Sequence, residues 1–280
     1  MPTNVLELSV LLWLGAFGAG IIGALTGLGG GVVIVPMLTL LFKVDMRYAI
    51  GAALVSVIAT SSGAAAAYVR EGYSNVRVGM FLEVATTSGA LAGAFLAGLI
   101  PTSALAVVFG LFLLYSAYLT MRARQEAGRS LPPDPIATGL GMNSTYPTPQ
   151  GREAYHPQRV SLTWGLMAVA GLLSGLLGIG SGALKVLAMD RVMRLPFKVS
   201  TTTSNFMIGV TAAASAGIYL HRGYIDPGLA MPVMLGVLAG AVVGSRLLTA
   251  AKAGALRVLL AVVILALAVE MVVHGLAGWI

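Results

Sequence analysis

The chain has 280 residues, of which 58% are hydrophobic and only 10% charged; soluble domains carry roughly 25% charged residues, so a water-soluble globular class is excluded. Its net charge of +7 sits mostly in short loops between apolar runs, which is a topology signal and not a nucleic-acid footprint. The absence of cysteine excludes disulfides, thiolate metal sites, iron–sulfur clusters and thiol relays.

Taken in chain order, the first half predicts apolar spans over 8–26, 31–42, 50–69, 79–99 and 103–121. The runs are continuously apolar and do not alternate, which favours α-helices over a β-barrel. No Lys or Arg precedes the first run, and no small-residue cleavage site follows it, so it reads as a span and not as a removed signal peptide. Residues 122–160 are rich in Pro, Gly and polar types and read as a flexible cytoplasmic linker with no packed core of its own. Asn143-Ser144-Thr145 matches the glycosylation tripeptide there, a chance match if the linker is cytoplasmic. The second half predicts spans over 161–177, 182–193, 200–220, 229–248 and 257–277. The expected domains are therefore 1–121, a first transmembrane repeat, and 161–280, a second.

The halves are related by a shift of 151 positions (178 − 27). Gly20, Gly27, Gly29 and Gly31 fall on Gly171, Gly178, Gly180 and Gly182, and Gly89 and Gly93 on Gly240 and Gly244. Apolar sequence matches glycines by chance, but Tyr68, Gly72 and Tyr73 also fall on Tyr219, Gly223 and Tyr224. With five crossings per half and the linker inside, twelve Lys and Arg lie inside and three outside, and both termini are external. An odd number of crossings inverts one half relative to the other, an architecture of secondary transporters. The expected fold is an all-α polytopic membrane protein. Two inverted repeats of about five helices or segments would each carry a Gly-rich broken or re-entrant pair.

Those breaks are TGLGGGVVIVPML (Thr26 to Leu38) and LGIGSGALKVLAM (Leu177 to Met189). Segment 8–42 would be roughly 52 Å long as helix at about 1.5 Å per residue, too short for two crossings of a core about 30 Å thick. One limb is therefore short, and Gly29, Gly30 and Gly31 with Gly180, Ser181 and Gly182 mark where helix stops and restarts. Restarting helices expose unpaired N–H groups suited to an anion. Small-xxx-small helix packing is the alternative account of these glycines.

Lys185 follows the second break. A lysine within a span costs roughly 2.5–3.5 kcal/mol on insertion scales and faces a cavity or partner unless it snorkels to the interface. Arg246, near its helix end, reads as a snorkelling residue. The run VSTTTSNFMIG (Val199 to Gly209) supplies Thr202 and Asn205 as pathway-lining candidates, or else as capping and interhelical hydrogen bonds. Glu83 and Glu270 are candidates for proton coupling; Glu83 is also placed to reach the interface, and Asp190 to pair with a nearby Arg. No His/Asp/Glu set has metal-ligand spacing and no nucleophile–base pair stands out, so no cofactor, metal or catalysis is expected.

The two Gly-rich motifs, RYAIGAALVSVIATSSGAAAAY with its counterpart FKVSTTTSNFMIGVTAAASAGIYL, and the REGYSN and HRGYID loops together resemble the TauE/SafE sulfite-exporter family. The resemblance covers nearly all of the chain outside the linker. It implies duplicated halves of about eight helices in total and movement of sulfite, sulfonates and related anions, commonly outward. It marks Gly27, Gly29, Gly30, Gly31 and Pro36, with Gly178, Gly180 and Gly182 in the echo, where Ser181 replaces a glycine and Leu187 stands in the place of Pro36. The missing cysteines set the chain apart from thiosulfate-uptake relatives that rely on thiols. The expected function is a plasma-membrane secondary transporter, an exporter of small sulfur-containing anions, with protons as a candidate coupling ion. A passive anion channel and a carrier of non-sulfur carboxylates are the alternatives.

Overall fold

A computed structural model describes residues 4–26, 30–70, 73–121, 134–148, 151–250 and 253–278. The first half folds as α1 (Val5–Thr26), α2 (Gly31–Pro36), a π-helical turn (Met37–Leu41), α3 (Met46–Arg70), α4 (Val76–Ala97) and α5 (Thr102–Met121). A short helix α6 (Pro135–Gly139) and a hairpin of β1 (Ser144–Thr148) and β2 (Gly151–Tyr155) follow. The second half repeats the first: α7 (Val160–Leu177), α8 (Gly182–Leu187), a π-helical turn (Ala188–Val192), α9 (Phe197–His221), α10 (Pro227–Ala250) and α11 (Ala253–Leu276). Among the described residues, four helices (α1, α4, α7 and α10) are long and apolar enough over an uninterrupted window to cross a membrane.

The shift of 151 holds for details that composition cannot produce. The π-helical turns begin at Met37 and Ala188. Each ends the same way: Lys43 and Arg194 adopt left-handed φ of 55° and 58°, and Val44 and Leu195 donate their N–H to Leu38 and Met189 carbonyls at 3.0 and 2.9 Å. This is a widened form of the closure that commonly terminates helices. Pro36 precedes the first turn, but Leu187 precedes the second, so the missing proline N–H is not what makes the π geometry. Helix starts repeat too. Asn75 Oδ1 accepts from Val78 N at 3.1 Å to cap α4, and Asp226 Oδ1 accepts from Gly228 N at 2.7 Å to cap α10.

The halves interlock reciprocally. α1 packs on α10, and its counterpart α7 packs on α4, while α3 meets α9 and α5 meets α11. Glycines set the approach: a Cβ on Gly20 would lie 2.4 Å from the Val237 carbonyl oxygen, and one on Gly171 would lie 2.0 Å from that of Thr86, the equivalent contact. Gly89 and Gly240 likewise sit on the carbonyls of Ala168 and Phe17. With apolar side chains equally at home in lipid, such backbone contact is what holds membrane helices together.

The linker differs from its composition-based reading. Residues 134–148 and 151–158 are folded and docked on the helices, so a flexible tether is the wrong description of that part. Asp134 holds both ends: its Oδ1 caps α6 through Ile136 N at 2.8 Å, and its Oδ2 accepts from Val160 N at the start of α7 at 3.2 Å. Ala137, Met142 and Tyr155 join Val78, Leu82, Val160, Met189, Met193 and Val199 in a second core beneath the hairpin. Composition hid this because the segment makes no core alone; it borrows the apolar ends of α4, α7 and α9. Asn75 Nδ2 donates to Met142 O and to Tyr155 Oη, both at 2.9 Å, while its N–H donates to Thr203 Oγ1 at 3.0 Å. Burial pushes the Tyr155 phenol above its ordinary pKa. Asn75→Ala keeps the backbone bond to Thr203 but removes the side-chain partner of Met142 O and the cap on Val78 N, at about 1–3 kcal/mol. It is expected to speed hydrogen exchange across 144–155 while the helices stay protected.

Candidate functional site

The second break is built around three left-handed residues, two of them adjacent. Gly178 (φ 69°) caps α7 with its N–H on Ser174 O, and Gly180 (φ 70°) and Ser181 (φ 43°) turn the chain into α8. Glycine adopts that region freely, whereas Ser181 adopts it at a cost. The turn is surrounded by backbone and branched side chains: a Cβ on Gly178 would meet Ile50 at 2.6 Å, and one on Gly180 would meet Ile208 at 2.8 Å. The first break reaches the same place. A Cβ on Gly31 would lie 3.0 Å from Gly178 O and 3.2 Å from Ile179 Cα, so the two breaks touch through their backbones. Gly30 packs on Val237; Gly29 and Gly27 lie outside the described residues.

From Gly31 to Leu41 the restarted limb has 11 residues, roughly 16 Å of helix at about 1.5 Å per residue and about half a bilayer core. In the second half the corresponding limb carries Lys185, whose side chain is fully buried. Its backbone N–H bonds to Ser181 O at 3.1 Å, which ties Lys185 to the first turn after the break. Ser181 Oγ is buried without a hydrogen-bond partner, as is Ser174 Oγ on the other side of the break. Buried hydroxyls in that state are uncommon.

Lys185 Nζ donates to Thr211 Oγ1 on α9, and that oxygen lies 2.6 Å from Glu83 Oε1 on α4. Glu83 is itself only 7% exposed. Thr86 Oγ1 donates to its Oε2 at 2.9 Å and Thr87 Oγ1 to its Oε1 at 3.0 Å. A buried cation and a buried carboxylate from opposite halves are thus joined through one hydroxyl and solvated by two more. Such a pair is tolerated in a membrane interior because each charge has both a counter-charge and hydrogen bonds.

The structure thus brings together Gly31, Gly180, Ser181, Gly182, Lys185 and Glu83, with Ser204 Oγ donating to Gly182 O at 3.4 Å. Thr202 is buried, but its hydroxyl turns back onto Lys198 O and Val199 O of its own helix; Asn205 is half-buried. Glu270 stands apart. It is 59% exposed on α11 and pairs with His274 at 3.2 Å. The side chain of Arg246 lies outside the described residues.

Sequence reasoning missed Thr211, Thr86 and Thr87. One signal for Thr211 was available: Ser200, Ser204, Thr211 and Ser215, all buried, recur at spacings of four, seven and four residues, which is one helix face. Thr86 and Thr87 lie three and four residues after Glu83, within reach on the same helix.

A mostly helical chain with four described helices long and apolar enough to cross a membrane, and a buried lysine and glutamate joined between its halves, is an all-α membrane protein. The chain belongs to the TauE/SafE sulfite exporter family, whose family model matches residues 12–271. Among its relatives, the probable membrane transporter protein YunE of Bacillus subtilis (strain 168) is 26% identical over 267 residues, covering 92% of this chain and 95% of the relative. YdhB of the same organism, also described as a probable membrane transporter protein, is 27% identical over 245 residues, or 85% and 89%. The probable membrane transporter protein ORF9 of Sinorhizobium sp is 24% identical over 283 residues, or 100% and 99%. No solved structure matches the chain.

Proposed function

We propose that the protein is a plasma-membrane secondary transporter that exports small sulfur-containing anions, such as sulfite or organosulfonates, and that Lys185 binds the anion. The observation that carries this reading is the fully buried Lys185 ammonium on a half-length helix where both breaks meet. A sulfite or sulfonate group accepts several charge-assisted hydrogen bonds. Lys185 provides one donor, and the Ser181 and Ser174 hydroxyls, buried and without partners, provide more. Gly30, Gly31, Gly180 and Gly182 let the backbone approach the anion closely, with Thr202 and Asn205 lining its route.

Several features support inverted repeats with short re-entrant limbs. α1 runs alongside α10 in the same direction, since Trp13 and Phe17 meet Gly236 and Gly240 in turn. α10 starts at the end where Arg222 donates to Ala94 and Phe95 carbonyls, while α7 starts at the linker end. Arg77, Arg159, Arg194 and Lys198 gather at the linker end, and we place that end in the cytoplasm by the charge bias.

Proteoliposomes preloaded with labelled sulfite provide the test. A transporter gives saturable efflux that external unlabelled sulfite accelerates, without unitary conductance. Single-channel currents with no acceleration by the opposing anion would instead make the protein a passive anion channel.

A further inference from the structure

Resting on the reading of Lys185 as the anion site, we propose that Glu83 is the internal counter-ion that an arriving anion displaces, taking up one proton as it leaves Lys185. Anion movement would thereby be tied to a proton at this site, with Thr211 as the switch between the two states. The geometry motivates it. Thr211 Oγ1 is the single atom shared by the Lys185 ammonium and the Glu83 carboxylate, and it also lies 2.9 Å from Met207 O on its own helix. Its one proton therefore has two acceptors, the carboxylate or the helix carbonyl.

Charge balance then constrains the site. In this arrangement Lys185 and Glu83 sum to zero. Adding a monoanion to Lys185 leaves one uncompensated negative charge among buried side chains, which is strongly disfavoured. A proton on Glu83 restores neutrality, and the carboxyl group then donates its new O–H while Thr211 turns to Met207 O or to the anion. Thr86 and Thr87 serve either form, because a hydroxyl accepts as readily as it donates.

No other described group competes for this role. α7, packed on α4, carries no titratable residue. On α9, Lys198 lies over the Tyr73 ring, Tyr219 Oη bonds to Gly175 O, and His221 is at the far end. On α4 itself Arg77 bonds to Gly141 O. Lys185 on α8 is the charge that faces Glu83.

The other half shows what the site is without charges. Shifted by 151 positions, Lys185, Thr211 and Glu83 become Ile34, Thr60 and Met234. Thr60 Oγ1 donates to Ser56 O, the equivalent of the Met207 bond. The threonine and its helix bond are thus common to both halves, while both charges occur together in one. Presence of both charges or neither is what a coupled pair requires, and it gives one proton per chain.

The test is calorimetry at pH 7 on the full-length protein in detergent, repeated in buffers of different ionisation enthalpy so that protons taken up on binding are counted. Methanesulfonate is the probe because its charge is fixed in this range, and acetate is the control. Wild type is expected to take up close to one proton per methanesulfonate. Glu83→Gln is expected to bind the anion with proton uptake near zero, Thr211→Val to weaken the coupling, and Thr211→Ser to restore it. Methanesulfonate binding by wild type without proton uptake, or with uptake that persists in Glu83→Gln, overturns the proposal and leaves the sulfur-anion reading standing. Binding of acetate but not methanesulfonate, with Glu83-dependent uptake, supports the switch and removes the sulfur-anion reading. Failure of every anion to bind overturns both.

Discussion

Lys185→Met is expected to lower the thermal midpoint of the protein sharply, and adding Glu83→Gln to it to restore most of the loss. The single substitution removes the cation, so Glu83, 7% exposed, must either keep a negative charge supported by hydroxyls alone or take up a proton, and either costs stability. Breaking a buried pair by deleting one partner costs about 3–5 kcal/mol, whereas replacing both partners by neutral groups of similar size is often close to neutral. Gln keeps one of the two oxygens as an acceptor for Thr211 and Thr87, and its NH2 group can donate to the Thr86 hydroxyl that now faces the other oxygen, so the double variant loses charge and little packing. Thermal unfolding of the purified proteins in one detergent measures this directly. If the double variant were as unstable as Lys185→Met, the two residues would not be energetically coupled.

Gly171→Leu is expected to prevent assembly of the two halves altogether. A Cβ at this position would sit 2.0 Å from Thr86 O and 2.7 Å from Thr86 C. These are backbone atoms, which cannot rotate away, so α7 and α4 must separate. Overpacking of an ordinary core costs about 1–3 kcal/mol, occasionally more, and here the helix pair that carries Glu83 is pried open as well. Gly240→Leu, the equivalent change against Phe17 O at 2.1 Å, is expected to do the same to α10 and α1. Gly165, also on α7, has nothing within 4 Å of its Cβ position. Gly165→Ala should therefore stabilise the helix by about 0.5–1 kcal/mol. Size-exclusion profiles separate the cases: aggregation for the first two, an unchanged peak for the third.

Most of the helix order was legible in the sequence, because continuous apolar runs and their Gly, Pro and Asn/Asp punctuation report helix length and ends independently of packing. The span expected at 182–193 is α8 with its π-helical turn, and the shift of 151 that aligned Tyr68 and Tyr219 also aligns the helix caps Asn75 and Asp226. The hairpin at 144–155 was not legible, since its core is contributed by α4, α7 and α9. The site was legible in part. Lys185 stood out because a charge in an apolar run is expensive, and Glu83 for the same reason. That the two belong together was not, because their link is Thr211, a residue too common in helices to be noticed alone. Glu270 shows the converse: it is as conspicuous in sequence as Glu83, but it faces outward beside His274.

The most direct test of Lys185 as the anion site is calorimetric titration of sulfite and methanesulfonate into wild type and the Lys185→Met/Glu83→Gln double variant. The double variant is the right comparison because it is expected to stay folded, so that lost binding reports lost charge and not lost structure. Selective binding of the sulfur anions by wild type, and none measurable by the double variant, is the expected result. Equal affinity in both proteins would contradict it and would make Lys185 a structural partner of Glu83.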